Sequence, residues 1–186
     1  MAISINDIKA GLTILLNNQL YLIMGYQHVK PGKGGAFMRT KLRNLKDGAI
    51  LEKTFKGDEK LQEAFIEERK LQYLYRADKI YHFIDQENFE ETSISDDILG
   101  ENVKFLKDNL QITAYSYQGE IFNVVLPNFI HLKVIHSEPG IKGDTAKSVT
   151  KQAILETNAS VNVPLFVKVD DVIKIDTRSG QYIERV

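Results

Sequence analysis

Apolar and polar positions alternate in short runs along most of the chain, with turn-forming residues between the runs. That pattern predicts strands rather than helices. Leu12–Leu16 and Leu20–Val29 are apolar-rich and are separated by Asn17, Asn18 and Gln19, a hairpin signal because Asn tolerates positive φ. Ala36–Lys46 and Ala49–Phe55 flank Asp47-Gly48, which predicts a type I′ turn. Within Ala36–Arg43, a period of two puts Ala36, Met38, Thr40 and Leu42 on one face and Phe37, Arg39, Lys41 and Arg43 on the other. The prediction is a strand with a core face and a cationic face.

Lys56–Glu63 is polar, contains Gly57-Asp58-Glu59-Lys60, and predicts a linker. Ala64–Glu68 has helix-compatible spacing that periodicity alone does not settle. Leu71–Tyr75 and Ile80–Phe83, around a turn at Ala77-Asp78-Lys79, are filled with aromatic and β-branched residues and predict a hairpin. The acidic stretch Asp85–Asp108 holds the one good short-helix signal, with Ser95 as N-cap, Asp96 and Asp97 in the first turn and Gly100 as stop. Strands resume at Leu110–Tyr117, Ile121–Leu126 and Phe129–Ile135, with a turn at Gln118-Gly119. His136–Val149 predicts a long loop; Ala153–Thr157, Val161–Val169, Val172–Thr177 and Gln181–Val186 predict the closing strands, the last two joined at Arg178-Ser179-Gly180. Pro127-Asn128-Phe129-Ile130 echoes Pro164-Leu165-Phe166-Val167 and hints at two related β modules. Two architectures fit an all-β chain of this length: small barrels in series, each of about 60 residues, or one β-sandwich of the whole chain.

Charge favours the first. The chain of 186 residues has a net charge of −1, but residues 1–65 carry +4, residues 66–128 carry −6 and residues 129–186 carry +1. Tyr26–Lys46 holds six basic residues and no acidic one. A basic front end and an acidic middle thus hide behind a neutral total. With no cysteine, disulfides, thiolate nucleophiles and Cys-ligated metals are excluded. No apolar stretch is long enough to span a bilayer and Met1–Leu20 lacks the pattern of a signal peptide, so a soluble, cytoplasmic protein is expected.

Enzyme templates fail. No His-Glu-x-x-His, Gly-x-Ser-x-Gly or dinucleotide-binding glycine fingerprint is present. His82, His131 and His136 lie in or beside strands and read as packing or surface residues, and no metal site is expected. Pro31-Gly32-Lys33-Gly34-Gly35 lacks the Gly-Lys-Ser/Thr and the following helix of a phosphate loop. It does leave Lys33 without crowding neighbours at a narrow tip, either as a solvated hairpin lysine or as a projecting point charge. Arg39, Lys41 and Arg43 would continue that tip as a phosphate-reading surface.

Several segments together resemble the bacterial elongation factor P family over essentially the whole chain: Val29-Lys30-Pro31-Gly32-Lys33-Gly34-Gly35-Ala36-Phe37 with Lys41-Leu42-Arg43, Glu52-Lys53-Thr54-Phe55, Tyr73-Leu74-Tyr75, Pro127-Asn128-Phe129, Pro139–Ala146, Val163–Val167 and Ile175–Gly180. The resemblance implies three small β-barrel domains in an L that imitates transfer RNA. The first, 1–63, is SH3-like of the KOW type; the second, 64–127, and the third, 128–186, are OB-like. It also implies a translation factor, not an enzyme, that binds the bacterial ribosome between the P and E sites as a monomer. There it positions prolyl peptidyl-tRNA so that peptide bonds form at consecutive prolines.

By the same resemblance Lys33 reaches the acceptor end of the P-site tRNA, with Lys30, Pro31, Gly32, Gly34 and Gly35 shaping its loop. A lysine-modifying enzyme extends this lysine in many members, often with a β-lysyl adduct; no other cofactor is implied. Arg39, Lys41 and Arg43 are candidate tRNA phosphate contacts, Gly143, Asp144 and Thr145 candidate contacts to messenger RNA in the E site, and Tyr182 and Arg185 candidate C-terminal RNA contacts. Tyr182 reads equally as a core strand residue. The acidic middle domain would face a ribosomal protein near the E site. The third-domain signature Lys-x-Ala-x4-Gly-x2-Leu/Val-x-Val-Pro-x2-Leu/Ile/Val-x2-Gly is matched by Lys151, Ala153, Val161, Val163, Pro164 and Val167. Asn158 replaces its first glycine, a mild change; Lys168-Val169-Asp170-Asp171 fills the region of its last, Asp171 taken as the replacement, which predicts a differently shaped turn. The rivals are an elongation factor P-like paralogue and a general OB-type single-strand nucleic-acid-binding protein, which would want aromatic platforms in a basic groove.

Overall fold

The computed structural model describes residues 2–30, 35–138 and 150–186. The strands among them lie in three antiparallel sheets. Strands β1 (Ala2–Ser4), β2 (Thr13–Leu16), β3 (Gln19–Val29), β4 (Phe37–Asn44), β5 (Ile50–Lys56) and β6 (Lys60–Glu63) form a six-stranded sheet ordered β1-β6-β2-β3-β4-β5. Strands β7 (Glu67–Ala77), β8 (Ile80–Asp85), β9 (Glu91–Ser95), β10 (Gln111–Tyr117) and β11 (Glu120–Val125) form a second, ordered β11-β10-β7-β8-β9, with helix α1 (Asp96–Leu99) between β9 and β10. Strands β12 (Phe129–Ser137), β13 (Thr150–Leu155), β14 (Ser160–Pro164), β15 (Val172–Asp176) and β16 (Gln181–Arg185) form the third, ordered β14-β13-β12-β15-β16.

If the strands of each five-stranded sheet are counted along the chain, both sheets run third-second-first-fourth-fifth. They are one topology used twice. The sequence echo is not its cause, because Pro127 follows a fifth strand whereas Pro164 ends a third. By packing, Met1–Glu68 with Tyr115–Asn123 is one compact unit, and Arg69–Ala114 with Val124–Val186 is the other.

In the first unit, Ile5, Ile8, Ile14, Tyr21, Ile23, Met38, Leu42, Phe55 and Leu61 make the core, each worth roughly 1.5–3 kcal/mol on burial. A capping box seats Ile5 and Ile8. The Ser4 hydroxyl accepts the Asn6 N–H at 3.3 Å, and the Asp7 carboxylate accepts the Ser4 N–H at 3.0 Å. Asn17 and Asn18, at φ +49° and +62°, form the two-residue turn that the β2–β3 hairpin needs.

Two expectations change here. The β4–β5 connection is not a type I′ turn, because only Gly48 has positive φ (+74°) and its N–H reaches back to the Asn44 carbonyl at 3.0 Å. Asn44 and Asp47 side chains accept the Lys46 and Ala49 N–H groups and stabilise this longer four-residue loop. Lys56–Glu63 is not a linker. Lys60–Glu63 is a strand between β1 and β2, with Leu61 as its one buried residue. The following segment is not helical; β7 begins at Glu67.

In the second unit, α1 begins after Ser95 and ends at Gly100 as those residues predict, Gly100 taking φ +54°, although the Ser95 side chain makes no capping bond. The chain then continues as a 3-10 helix over Gly100–Phe105. Edge strand β9 lies in a stretch that reads only as acidic, and Ile94 alone in it is buried. The predicted strand Val161–Val169 stops at Pro164, whose ring cannot donate to a ladder, and the Val167 N–H turns back to the Pro164 carbonyl. Both signature positions take the left-handed backbone that favours glycine: Asn158 has φ +64° and Asp170 has φ +72°. Counted from Pro164, the signature's spacing puts its last glycine position at Asp170 rather than Asp171. Asp171 instead accepts the Lys168 N–H at 2.8 Å.

Two carboxylates anchor this unit electrostatically. Asp85 is buried and accepts the Glu87 N–H at 2.8 Å and Arg69 Nε at 2.7 Å. Those partners, the Glu87 N–H foremost, hold its carboxyl below the usual carboxylate range against the opposing effect of burial. Asp176 accepts Arg178 Nη2 at 2.6 Å and its Nε at 3.0 Å, and is held down at about 2 chiefly by that guanidinium. Asp85→Ala leaves Arg69 without its buried partner and is expected to destabilise the unit by about 2–3 kcal/mol in denaturant melts. Because both carboxyls lie below their unfolded values near 4, their contribution is complete above that pH and is lost as pH falls below it, for Asp176 towards about 2. Thermal melts between about pH 6 and pH 2.5 will show this acid loss, and Asp176→Asn will lack part of it.

Candidate nucleic-acid interface

The cationic face of β4 follows from its alternation. Met38, Thr40, Leu42 and Asn44 are buried while Arg39, Lys41 and Arg43 are exposed. The two buried polar residues are satisfied: the Thr40 hydroxyl donates to the Lys53 carbonyl at 2.9 Å, and Asn44 Nδ2 donates to Gln19 Oε1 at 3.3 Å. With the inward positions secured on both sides by β3 and β5, the strand cannot slip by one residue without burying three cations. Successive cations stand two residues apart, roughly 6.6–6.8 Å along a strand. Among the described residues none of the three is ion-paired.

Sequence alternation does not show how open this face is. β3 carries a bulge between Ile23 and Gly25, which extrudes Met24 and brings Gly25 opposite Lys41. A groove of about 160 Å³ runs there, lined by Gly25, Tyr26, Gln27, Arg39, Thr40, Lys41 and Glu52. No side chain occupies the Gly25 position, so the groove floor is backbone.

Lys30 is exposed just beyond β3. Pro31, Gly32, Lys33 and Gly34 lie outside the described residues, as do Gly143, Asp144 and Thr145. Gly35 has no positive φ, and among the described residues no atom lies within 4 Å of where a Cβ would stand. A different glycine supports the foot of the loop. A Cβ on Gly57 would stand 3.2 Å from the Ala36 carbonyl oxygen, so the turn after β5 presses its backbone against the stem that leads into β4. The Glu59 carboxylate closes that turn on the Lys56 N–H at 2.9 Å. The sequence shows Gly57 only as a loop residue; its closeness to Ala36 arises from the β4–β5 pairing.

Tyr182 and Arg185 stand three apart, which strict alternation would put on opposite faces. The β15–β16 register slips between Lys174 and Ile175, leaving Ile183 extra, so Tyr182 faces Ile175 and Arg185 faces Ile173 on one side of the sheet. Tyr182 is half-buried. Arg185 is already engaged, 5.6 Å from the Phe166 ring centroid and 3.5 Å from Asp171 Oδ2. Three other cations on or beside the third sheet are similarly engaged: Lys133 with Asp170 at 2.7 Å, Lys174 with Glu184 at 2.9 Å and Arg178 with Asp176.

No catalytic arrangement emerges from the histidines. Glu91 Oε1 and Ser93 Oγ both approach the same ring nitrogen of His82, at 2.7 and 3.4 Å, so no relay from carboxylate through imidazole to hydroxyl exists. His131 and His136 are exposed on β12. Among the described residues no group of three His, Asp or Glu side chains could hold a metal, and no helix is long and apolar enough to cross a membrane.

Three family models match in chain order. Residues 4–61 match the elongation factor P KOW-like domain, 66–124 the elongation factor P OB domain and 130–185 the elongation factor P C-terminal domain. The chain is 50% identical over 183 residues to "Elongation factor P" of Moorella thermoacetica, covering 98% of this chain and 99% of that one. It is 52% identical over 184 residues to "Elongation factor P" of Pelotomaculum thermopropionicum, covering 99% and 100%. Among solved structures, an archaeal protein described as eukaryotic translation initiation factor 5A from Methanococcus jannaschii superposes with a TM-score of 0.52 at 20% identity, over 67% of this chain and 94% of its own. At that identity the likeness concerns the fold alone. A cationic strand beside a lysine-bearing loop, two copies of one five-stranded topology, and family matches along the whole chain converge: the chain belongs to the elongation factor P family, translation factors rather than enzymes.

Proposed function

We propose that this protein binds the ribosome between the P and E sites and promotes peptide-bond formation at consecutive prolines by positioning prolyl peptidyl-tRNA. The observation that carries this reading is the row Arg39, Lys41 and Arg43, exposed and not ion-paired among the described residues, which begins beside the loop that holds Lys33. Phosphates of the tRNA acceptor arm are the natural complement of such a row. Lys33 then extends towards the acceptor end, and Gly57 steadies the stem of its loop.

Proline is a poor nucleophile and a rigid acyl donor, so alignment is what the reaction lacks. Correct positioning supplies several kcal/mol of a barrier without any group of the factor entering the chemistry. A β-lysyl-type adduct on Lys33, added by a lysine-modifying enzyme, would lengthen its reach and add hydrogen-bond donors. The division into 1–63, 64–127 and 128–186 is supported by the three family matches, each of which falls within one of those spans. The acidic second domain would meet a ribosomal protein near the E site, and Gly143, Asp144 and Thr145 would approach messenger RNA there. Tyr182 and Arg185 are the C-terminal RNA-contact candidates of the family resemblance, and contact with RNA would require Arg185 to leave Asp171 and the Phe166 ring. A general single-strand binder is the weaker reading, because Lys133, Lys174, Arg178 and Arg185 of the third sheet and its turns are each paired with a carboxylate.

Reconstituted bacterial translation of a reporter with a Pro-Pro-Pro run, beside a proline-free control, tests the reading. The protein is expected to relieve the stall selectively, and Lys33→Ala to slow the relieved step roughly ten- to hundredfold. Equal effects on both messages would overturn the reading. Arg39→Ala, Lys41→Ala and Arg43→Ala are each expected to weaken binding to ribosomes that carry P-site tRNA and to reduce the salt slope of that binding by about 1. The intact mass of protein from its native cells reports the adduct; an unshifted mass would mean a bare Lys33.

A further inference from the structure

Strand β7 brings to one face a tyrosine and an arginine that strict alternation would keep apart. Its register with β8 slips between Tyr73 and Tyr75, leaving Leu74 extra, so Tyr73 faces Phe83 and Arg76 faces Tyr81. Arg76 lies over the Tyr81 ring at 5.2 Å, and its Nε donates to the Asp78 carbonyl at 2.5 Å. These side chains form one wall of a cleft of about 480 Å³ inside the second unit. Lys107 and Asp108, just past the 3-10 helix, and the β13–β14 turn Glu156–Asn158 complete it. Two bonds fix its walls. Thr157 Oγ1 donates to the Lys104 carbonyl and Lys107 Nζ to the His131 carbonyl, each at 2.7 Å, which ties the turn and β12 of the third sheet to the 3-10 helix and its exit.

Two cations and two carboxylates line this cleft, yet among the described residues Arg76, Lys107, Asp108 and Glu156 make no ion pair. The Asp108 side chain makes no hydrogen bond there either. Glu156 keeps one oxygen free, since its Oε1 accepts the Lys133 N–H at 3.0 Å. Burial, and after it the Asp108 carboxylate, push the Tyr73 hydroxyl above its ordinary value while Arg76 draws it down, so both charges stand near that one group. A ligand that satisfies such a cleft carries an anion at one end and N–H donors at the other. Clefts of roughly 300–1,000 Å³ take ligands of drug size, which points past a lone amino acid to a nucleotide.

We infer that this cleft is a guanine-nucleotide site. Arg76, through its spare Nη donors, and Lys107 hold the phosphate. Glu156 takes a ribose hydroxyl with its free oxygen, and Asp108 reads the base beside the tyrosines. Guanine sets two N–H donors side by side on its Watson–Crick edge, and a carboxylate with both oxygens free accepts the pair. Adenine puts an acceptor next to its donor there, which leaves one carboxylate oxygen facing a lone pair. The nucleotide is either free or a guanosine of single-stranded RNA, since both offer this chemistry.

Isothermal titration of the full chain with GDP and with ADP tests the site, because the two carry the same phosphates and differ at the base. GDP is expected to bind at least about tenfold tighter than ADP. Asp108→Asn is expected to erase that preference by weakening GDP alone, and Arg76→Gln to weaken both roughly tenfold. Asp108 and Arg76 are exposed, so neither change disturbs the core. Hexauridylate with one internal guanosine or one internal adenosine, titrated in the same way, separates the sources. A preference confined to GDP identifies a free nucleotide, one confined to the oligonucleotide identifies RNA, and one in both shows that the site takes either. RNA held only by Arg39, Lys41 and Arg43 would show no preference that Asp108→Asn removes. Absence of binding in both pairs, equal affinity within both pairs, or a preference that survives Asp108→Asn overturns the site.

Discussion

Strict alternation along β4 is the constraint on which the functional face depends. Met38, Thr40, Leu42 and Asn44 must point inward, the first and third to fill the core and the other two to reach Lys53 and Gln19. A pleated strand then leaves no choice for Arg39, Lys41 and Arg43. The cations are thus placed by the burial of their neighbours, and the stability of the first unit and the geometry of its charged row share one cause. This is why three long, flexible side chains can present a fixed spacing without ion pairs to hold them.

Charge is treated differently in the two units. In the first, the β4 cations make no ion pair among the described residues, although Glu52 stands opposite Lys41 on β5. In the third sheet, Lys133, Lys174, Arg178 and Arg185 each have a carboxylate partner on the same sheet or an adjoining turn. Such surface pairs contribute little stability, but they cancel the long-range field of one face and leave the field of the other. A chain with a net charge of −1 can therefore present a surface suited to RNA in one place and acidic surfaces elsewhere.

Left-handed backbone is the third recurring element. Asn17, Asn18, Asn158 and Asp170 occupy it at turns, where their short polar side chains make the conformation inexpensive. Asn158 and Asp170 take that backbone at positions where the family signature has glycine. Phe89 shares the region without the chemistry that makes it tolerable, which sets it apart from the others.

The residues by themselves determined the features that depend on near neighbours. The Asn17-Asn18 turn, the two faces of β4 and the short helix between Ser95 and Gly100 are all legible from local pattern, because φ preference and two-residue alternation act over a few positions. Where partners come from far along the chain, the sequence is silent. Lys60–Glu63 reads as polar linker because one leucine is too little pattern, and only β1 and β2 on either side make it a strand. The same holds for β9, for Gly57 under the Ala36 carbonyl, and for the bulge at Ile183 that turns Tyr182 and Arg185 to one side. Register, bulges and the closeness of one backbone to another are decided when distant strands pair, since a hydrogen-bond ladder is satisfied between segments and not within them.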